Sequence, residues 1–134
     1  MTSQVSYEGN LRTTAVHLKS DNRIITDAPT DNNGKGQAFS PTDLVATGLA
    51  SCILTIMGIR ATKMGINIDG AKAEVTKHMV SDPRRIGKID VVLSLPGADL
   101  VDKDKAILEK VGLTCPVAQS LHPDIEQHVS FTWT

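Results

Sequence analysis

The sequence predicts a mixed α+β fold in which strands and helices form separate groups along the chain. Three observations support this prediction: a long apolar stretch of helical character at residues 40–65, three short strand-like segments before it, and strands with short helices after it. This order differs from the alternation of strand and helix that builds a parallel sheet. With 134 residues, we expect a single domain spanning residues 1–134.

The first third of the chain reads as an antiparallel meander. Residues 5–8, 11–19 and 23–26 are predicted strands, because small polar turn formers separate short stretches with strand-like alternation. Gly9-Asn10 is the predicted turn of the first hairpin, and residues 20–22 form the second turn. Residues 28–38 are rich in turn formers and poor in apolar side chains, which predicts a surface loop that leads into the helix.

The helix predicted over residues 40–65 has recognisable signals at both ends. Ser40 can cap its start, Pro41 suits the first helical position, and Gly65 is a typical stop. Its apolar residues fall on nearly every side of the helical wheel, which predicts burial all round. Gly48 and Gly58 weaken an isolated helix, so we expect close approach of another element, such as a second helix. The stretch also contains Ser, Thr and polar flanks, so we expect a core helix and no membrane.

The remaining residues predict two longer strands, two short helices and a closing strand. The two longer strands are predicted over residues 66–80 and 87–95, and the second of them has alternating apolar side chains on one face. The closing strand is predicted over residues 128–132. Residues 102–111 predict an amphipathic helix that buries Ala106, Ile107 and Val111 and stops at Gly112. A second short helix is expected to begin at Pro116, directly after Cys115.

Composition narrows the function classes. A formal net charge of −1 gives no reason to expect a nucleic acid or an anionic membrane as partner. No signal segment is visible, so we expect a cytoplasmic protein.

The two cysteines, Cys52 and Cys115, show neither CxxC nor zinc-site spacing, which predicts no metal site. Each could be a small buried hydrophobe. Cys115 precedes a proline at a predicted helix start, where backbone N–H groups lower a thiol pKa.

Two segments resemble the signature segments of the OsmC/Ohr family, that is, osmotically inducible protein C and the organic hydroperoxide resistance proteins. They are S-P-T-D-L-V-A-T-G-L-A-S-C and G-L-T-C-P-V-A-Q-S-L, each with one cysteine. The resemblance is nearer to the general OsmC-like branch. It implies an intertwined homodimer with its central helices side by side. It also implies thiol-dependent reduction of organic hydroperoxides with electrons from a dithiol or lipoyl-type reductant, and no cofactor.

The resemblance also implies roles for individual residues. Cys52 corresponds to the cysteine that attacks the peroxide, and Cys115 to the one that resolves the sulfenic acid as a disulfide. We follow this assignment although the helix start alone favours Cys115 as the acidic thiol. Arg12 corresponds to the activating arginine, with Arg23 as the alternative. The hydroperoxide-specialised branch has a glutamate after the helix-opening proline that helps to hold this arginine.

That glutamate position is occupied by Thr42, and Asp43 follows it. We expect both side chains to support the substrate pocket, and Asp43 is the candidate substitute for the glutamate. Two alternatives stay open, and the missing glutamate motivates the first of them. One is a redox-sensing or thiol-binding protein with little turnover, and the other is a non-redox protein that binds a small apolar ligand.

Overall fold

The computed structural model describes all residues, Met1–Thr134, and confirms the α+β class. Its elements, in chain order, are β1 (Ser3–Gly9), β2 (Arg12–His17), β3 (Arg23–Asp27), α1 (Pro41–Lys63), β4 (Lys72–Val80), β5 (Arg85–Leu95), α2 (Asp102–Leu113), α3 (Pro116–Ser120) and β6 (Glu126–Trp133). The chain divides into two compact units, Met1–Val45 and Ala46–Thr134.

The first unit contains the predicted meander, an antiparallel sheet in the order β1-β2-β3. The turn between β1 and β2 is Asn10-Leu11 and not Gly9-Asn10 as predicted, because Gly9 pairs with Arg12 across the hairpin. Asn10 and Leu11 both adopt left-handed backbone angles, with φ of 53° and 64°, which the favoured two-residue hairpin turn requires. As a result β2 begins one residue later than predicted, and it ends at His17.

The connection from β3 to α1 is the predicted loop, and it contains a short 3₁₀ turn at Thr30–Asn32. Backbone hydrogen bonds tie both of its ends: Ala28 N–H donates to Leu11 O over 3.1 Å, and Asp27 N–H donates to Phe39 O over 3.1 Å. Gly34 passes so near to Ala28 that an added Cβ would lie 1.7 Å from its carbonyl oxygen. Only glycine can occupy this position in the observed loop conformation.

The start of α1 is fixed by a reciprocal cap. Ser40 Oγ accepts the Asp43 backbone N–H at 3.0 Å, and Asp43 Oδ2 accepts the Ser40 backbone N–H at 2.9 Å. This capping box satisfies two N–H groups that would otherwise lack partners at the helix start. The predicted start is therefore confirmed. At the other end the helix stops at Lys63, and Gly65 takes a φ of +69°, as expected of a glycine stop.

Helix α1 is buried on one face only within this chain. The buried residues recur at helical spacing: Ala46, Leu49, Ala50, Ile53, Met57 and Ala61. The opposite side exposes Ser51, Thr55 and Ile59, the last at 51%, so the predicted burial on all sides is not met. No atom lies within 4 Å of a Cβ added at Gly48 or Gly58. The helix is long and apolar enough to span a membrane, a property that core helices of water-soluble proteins share.

The second unit builds its core from α1, β5 and α2. Strand β5 pairs antiparallel with β4 and parallel with β6. Its alternate side chains are fully buried, as predicted: Ile89, Val91, Leu93 and Leu95. They form one cluster with Leu49, Ile53 and Met57 of α1 and Leu108 of α2. Every second side chain of β5 and every third or fourth side chain of α1 therefore face each other in one apolar layer.

Strand β4 begins at Lys72 and not at residue 66, because a turn occupies the intervening residues. Asn67 Oδ1 accepts the Asp69 backbone N–H at 2.7 Å, an Asx-type turn, and Gly70 follows with a φ of +89°. The residues between α1 and β4 thus reverse the chain direction. A strand could not form over them, since strands require extended backbone angles throughout.

Helix α2 differs from its prediction in the face that it buries. Leu108 and Gly112 are buried, whereas Ala106 is exposed and Ile107 and Val111 are half-buried. Gly112 does not stop the helix, which continues to Leu113. A Cβ added at Gly112 would lie 3.0–3.1 Å from side-chain atoms of Ile53 and Met57. The glycine therefore permits close packing of α2 on α1, and it is not a helix terminator here.

Candidate redox site

Cys52 lies midway along α1, between its buried and its exposed sides. Its side chain is partly buried and packs against the core of the second unit. Cys115 is fully buried, with 0% exposure, at the start of α3. Cys115 caps this short helix, since its Sγ accepts the Ala118 backbone N–H at 3.4 Å, and Pro116 takes the first helical position. The predicted helix start at Pro116 is confirmed.

The fold brings the two cysteines together as free thiols. Neither is in a disulfide, and the Cys52 thiol lies close enough to Cys115 to raise the pKa of the Cys115 thiol. Two residues distant in sequence thus become adjacent, because α3 follows the helix that packs against α1. When one of two neighbouring cysteines is oxidised to a sulfenic acid, it can condense with the thiol of the other to form a disulfide. This requires a short distance between the two Cα atoms.

The environment of Cys115 opposes ionisation. Burial raises the pKa of the Cys115 thiol above its ordinary value, and the neighbouring Cys52 raises it further. The backbone N–H groups of Ala118 and Val117 act in the opposite direction but are outweighed. The lowered pKa that the helix start alone would suggest for Cys115 is therefore wrong. Loss of hydration destabilises the thiolate more than one short helix stabilises it.

Arg12 forms a two-pronged ion pair with Asp27 in the first unit. Its Nε lies 2.7 Å from Asp27 Oδ1, and its Nη2 lies 2.8 Å from Asp27 Oδ2. The Arg12 side chain is 34% exposed, whereas the Asp27 side chain is 2% exposed. The hydrogen bond from Arg12 holds the pKa of Asp27 below its usual value against the effect of burial, and the same bond raises the pKa of Arg12.

Asp27 was missed by the sequence analysis, although the sequence contained a signal. Arg12 and Asp27 are direct cross-strand partners in the β2–β3 hairpin. The predicted second turn at residues 20–22 places position 12 opposite residue 30, and Asp27 and Asp31 are the acidic residues near that position. Because opposite charges favour cross-strand positions, an acidic residue there was a natural partner for Arg12.

The other predicted site residues lie near the start of α1 or on the sheet surface. Asp43 takes part in the capping box, and Thr42 Oγ1 lies 3.2 Å from Ser40 Oγ. Arg23, the alternative arginine, is 63% exposed and lies 3.7 Å from the exposed Asp21 carboxylate. A pocket role for Thr42 and Asp43 stays a prediction. No group of three or more His, Cys, Asp or Glu side chains in the chain could hold a metal ion.

Comparisons with known proteins show which family the chain resembles. The family described as OsmC-like protein matches residues 34–129, a segment that includes both cysteines. A comparison with curated protein sequences found no match. A crystal structure from Psychrobacter arcticus, of a protein whose name proposes a role in the osmotic stress and detoxification response, is 56% identical. It superposes with a TM-score of 0.94 and covers 98% of this chain and 96% of its own.

More distant solved structures share the fold. The OsmC-like protein of Mycoplasma pneumoniae is 18% identical with a TM-score of 0.80, and the match covers 98% of this chain and 95% of that one. The organic hydroperoxide resistance protein of Bacillus subtilis is 19% identical with a TM-score of 0.71, and the match covers 98% of both chains. The family match spans well over half of the sequence, and the near relative covers almost all of it. The chain therefore belongs to the OsmC-like protein family.

Proposed function

We propose that this protein is a thiol-dependent peroxidase that reduces organic hydroperoxides, with Cys52 as the attacking and Cys115 as the resolving cysteine. The observation that carries the proposal is the pair of adjacent free thiols, one partly exposed and the other fully buried. Structural relatives from Bacillus subtilis and Legionella pneumophila are named organic hydroperoxide resistance proteins, which supports the choice of substrate class.

The first step oxidises Cys52. Its thiolate sulfur attacks the terminal oxygen of the hydroperoxide, the O–O bond breaks, and the alkoxide takes up a proton and leaves as an alcohol. Cys52 becomes a sulfenic acid. Cys52 suits this role because its side chain is partly accessible, whereas the buried Cys115 has a raised pKa and would be a poor nucleophile toward a peroxide from solvent.

The second step forms the disulfide. The Cys115 sulfur attacks the sulfenic sulfur of Cys52 after giving up its proton, the S–O bond breaks, and water leaves. The burial of Cys115 keeps it reduced until Cys52 has reacted, and condensation protects Cys52 from further oxidation. An external dithiol of the lipoyl type then reopens the disulfide by exchange and is itself oxidised. The cycle needs neither a metal nor an organic cofactor.

Arg12 is the proposed cation that stabilises the Cys52 thiolate. A thiolate in the middle of a helix gains little from the helix dipole, whose effect is limited to the terminal turns. It therefore requires a positive group from elsewhere in the protein. Arg12 is better suited than Arg23, because its guanidinium is held by a buried carboxylate, whereas Arg23 is largely exposed.

We further propose that the working form is a cytoplasmic homodimer in which the exposed side of α1 packs against a second copy. Two observations support this association. The exposed side carries small residues and Ile59, and the space around Gly48 is open. An apolar helix face that the chain itself leaves uncovered is typical of an interface.

The proposal is tested by turnover of cumene hydroperoxide with dihydrolipoamide as reductant. The native chain should turn over continuously and faster than with hydrogen peroxide, and Cys52→Ser should consume none. Cys115→Ser should reduce about one peroxide per chain and then stop, because its sulfenic acid cannot form the intramolecular disulfide. Ser94→Ala is the matched control, since Ser94 is exposed on the face of β5 that points away from the core, and its rate should be unchanged.

The same assay separates the alternatives. A redox sensor would form the disulfide but would turn over too slowly with the dithiol to remove peroxide continuously. If the protein only binds an apolar ligand, both thiols should stay reduced at peroxide concentrations that would oxidise them fully in a peroxidase. Loss of turnover in Cys115→Ser from the first peroxide onward, with Cys52→Ser still active, would reverse the assigned roles.

A further inference from the structure

Gln127 is a polar side chain on the inward-facing row of β6. Alternate residues of this strand are half-buried, and Val129, Phe131 and Trp133 of the same row pack against the core. Gln127 is also the register partner of the fully buried Ile89 of β5. An amide in such a place is destabilising unless it is hydrogen-bonded. Its presence in this row therefore requires a specific partner.

The partner of Gln127 is the short helix that follows Cys115. Gln127 Nε2 donates to the backbone oxygen of Ala118 over 3.1 Å, and the backbone N–H of Ala118 donates to Cys115 Sγ over 3.4 Å. Ala118 is thus held from both sides. We propose that Gln127 is a positioning residue for Cys115, on which it acts through Ala118 by fixing α3 against β6. This inference rests on the proposed function, in which Cys115 attacks the oxidised Cys52.

Helix α3 needs such an attachment because it contains only five residues, Pro116–Ser120. Helices of this length are not stable by themselves in water. A hydrogen bond such as that from Ser120 Oγ to Pro116 O, over 2.7 Å, shapes the turn but does not attach it to another element. The contact from Gln127 does so, and it reaches the middle of the helix.

The attachment matters for the second step of the proposed cycle. Because Cys115 is fully buried, its sulfur approaches Cys52 from the position that α3 gives it. A small displacement of one reacting group slows a reaction strongly when the rate depends on a fixed geometry. The Ala118 N–H also favours the thiolate form in which Cys115 attacks. A loosened α3 should therefore slow disulfide formation and leave the first reaction of Cys52 as it is.

Dithiobis(nitrobenzoate), an aromatic disulfide that releases coloured thiolates, separates the two steps without peroxide. With one equivalent, the partly exposed Cys52 attacks the reagent first, one coloured thiolate leaves, and a mixed disulfide remains. Cys115 then loses its proton to solvent and attacks the Cys52 sulfur, the second coloured thiolate leaves, and the Cys52–Cys115 disulfide forms. Two thiols are oxidised and one reagent disulfide is reduced, so stopped-flow absorbance records two phases.

Substitutions at Gln127 test its hydrogen bond. Gln127→Met keeps the length of the side chain but has no donor. It should slow the second phase about two- to tenfold, the equivalent of one hydrogen bond, with the first phase unchanged. Gln127→Lys again offers an N–H donor and should restore the rate. Trp133→Phe is the matched control: it removes the corresponding bond of the same row, from Trp133 Nε1 to Glu109 of α2, and its second phase should be unchanged.

Gln127→Glu provides a second variant of the same kind if Gln127→Met fails to fold, because an ionised glutamate also lacks the donor. An unchanged second phase in the folded variant, an equal slowing in Trp133→Phe, or no recovery in Gln127→Lys would overturn the inference. Failure of the native chain to consume peroxide would instead refute the proposed function, since the reaction with the aromatic disulfide does not involve peroxide.

Discussion

Gly48 offers a test in which the single chain and the proposed homodimer give opposite results. It lies on the exposed side of α1, in line with Ser51, Thr55 and Ile59 at helical spacing. A Cβ added at Gly48 meets no atom within 4 Å. In an isolated chain Gly48→Ala should stabilise the fold by about 1 kcal/mol through helix propensity. This would raise the Tm by about 2–8 °C.

In the homodimer the added methyl group would meet the second copy. Overpacking of a close contact costs about 1–3 kcal/mol per site, and a twofold-symmetric interface contains the site twice. The gain in helix propensity is the same in monomer and dimer, so it cancels in the dissociation equilibrium. The dimer should therefore weaken by at least about 2 kcal/mol, which is about a 30-fold rise in Kd.

Sedimentation velocity over a range of concentrations measures this Kd, and thermal unfolding of the same samples gives the Tm. Gly112→Ala is the matched control, because its added Cβ would contact Ile53 and Met57 within the same chain. It should lower the Tm without changing the Kd. A higher Tm for Gly48→Ala, with unchanged sedimentation, would show that this side of α1 faces solvent and would refute the proposed pairing of helices.

Two further substitutions test the electrostatics and the capping of the fold. Asp90 accepts from His78 Nε2 at 2.7 Å, and this bond, with the nearby charges of Lys88, His78 and His128, lowers the pKa of Asp90 despite burial. Its stabilising effect is therefore present above about pH 4 and is lost as the pH falls through the folded-state pKa. The Tm difference between the native chain and Asp90→Asn should shrink below that pH, and a constant difference would contradict this reasoning. Ser40→Ala removes the Oγ acceptor of the capping box and should cost about 1 kcal/mol of unfolding free energy in urea titrations, whereas an unchanged midpoint would deny the cap any energetic role.

The elements that sequence predicts well here are those with local signals. The start of α1 depends on Ser40, Pro41 and Asp43, three residues that form a cap with one another. The buried face of β5 follows from strict alternation, which a strand converts directly into two faces. The short helix after Cys115 was predictable because proline suits the first helical position. In each case the determining contacts lie within a few residues.

The errors arise where a contact with a distant segment decides the outcome. Gly112 resembles a helix stop, but its lack of a side chain serves packing against Ile53 and Met57. Burial at the core, and not the helix start, decides the pKa of Cys115. None of these effects is encoded in the neighbouring sequence alone.

The candidate site was predictable in part for the same reason. The two cysteines were identified by their resemblance to family segments, and their contact required the fold to bring α3 to α1. The buried ion pair of Arg12 with Asp27 could have been inferred from the hairpin register, which pairs these two positions directly. The family pattern points to Asp43, whereas the carboxylate that binds Arg12 is Asp27 on the adjacent strand β3.

The most direct test of the account is the product of a single oxidation. The reduced native protein is treated with one equivalent of cumene hydroperoxide, quenched in acid, alkylated and digested, and the peptides are identified by mass spectrometry. We predict a Cys52–Cys115 disulfide within one chain and one equivalent of alcohol released from the peroxide. Recovery of both cysteines as alkylated thiols, or of Cys52 only as sulfinic acid with Cys115 still free, would contradict it.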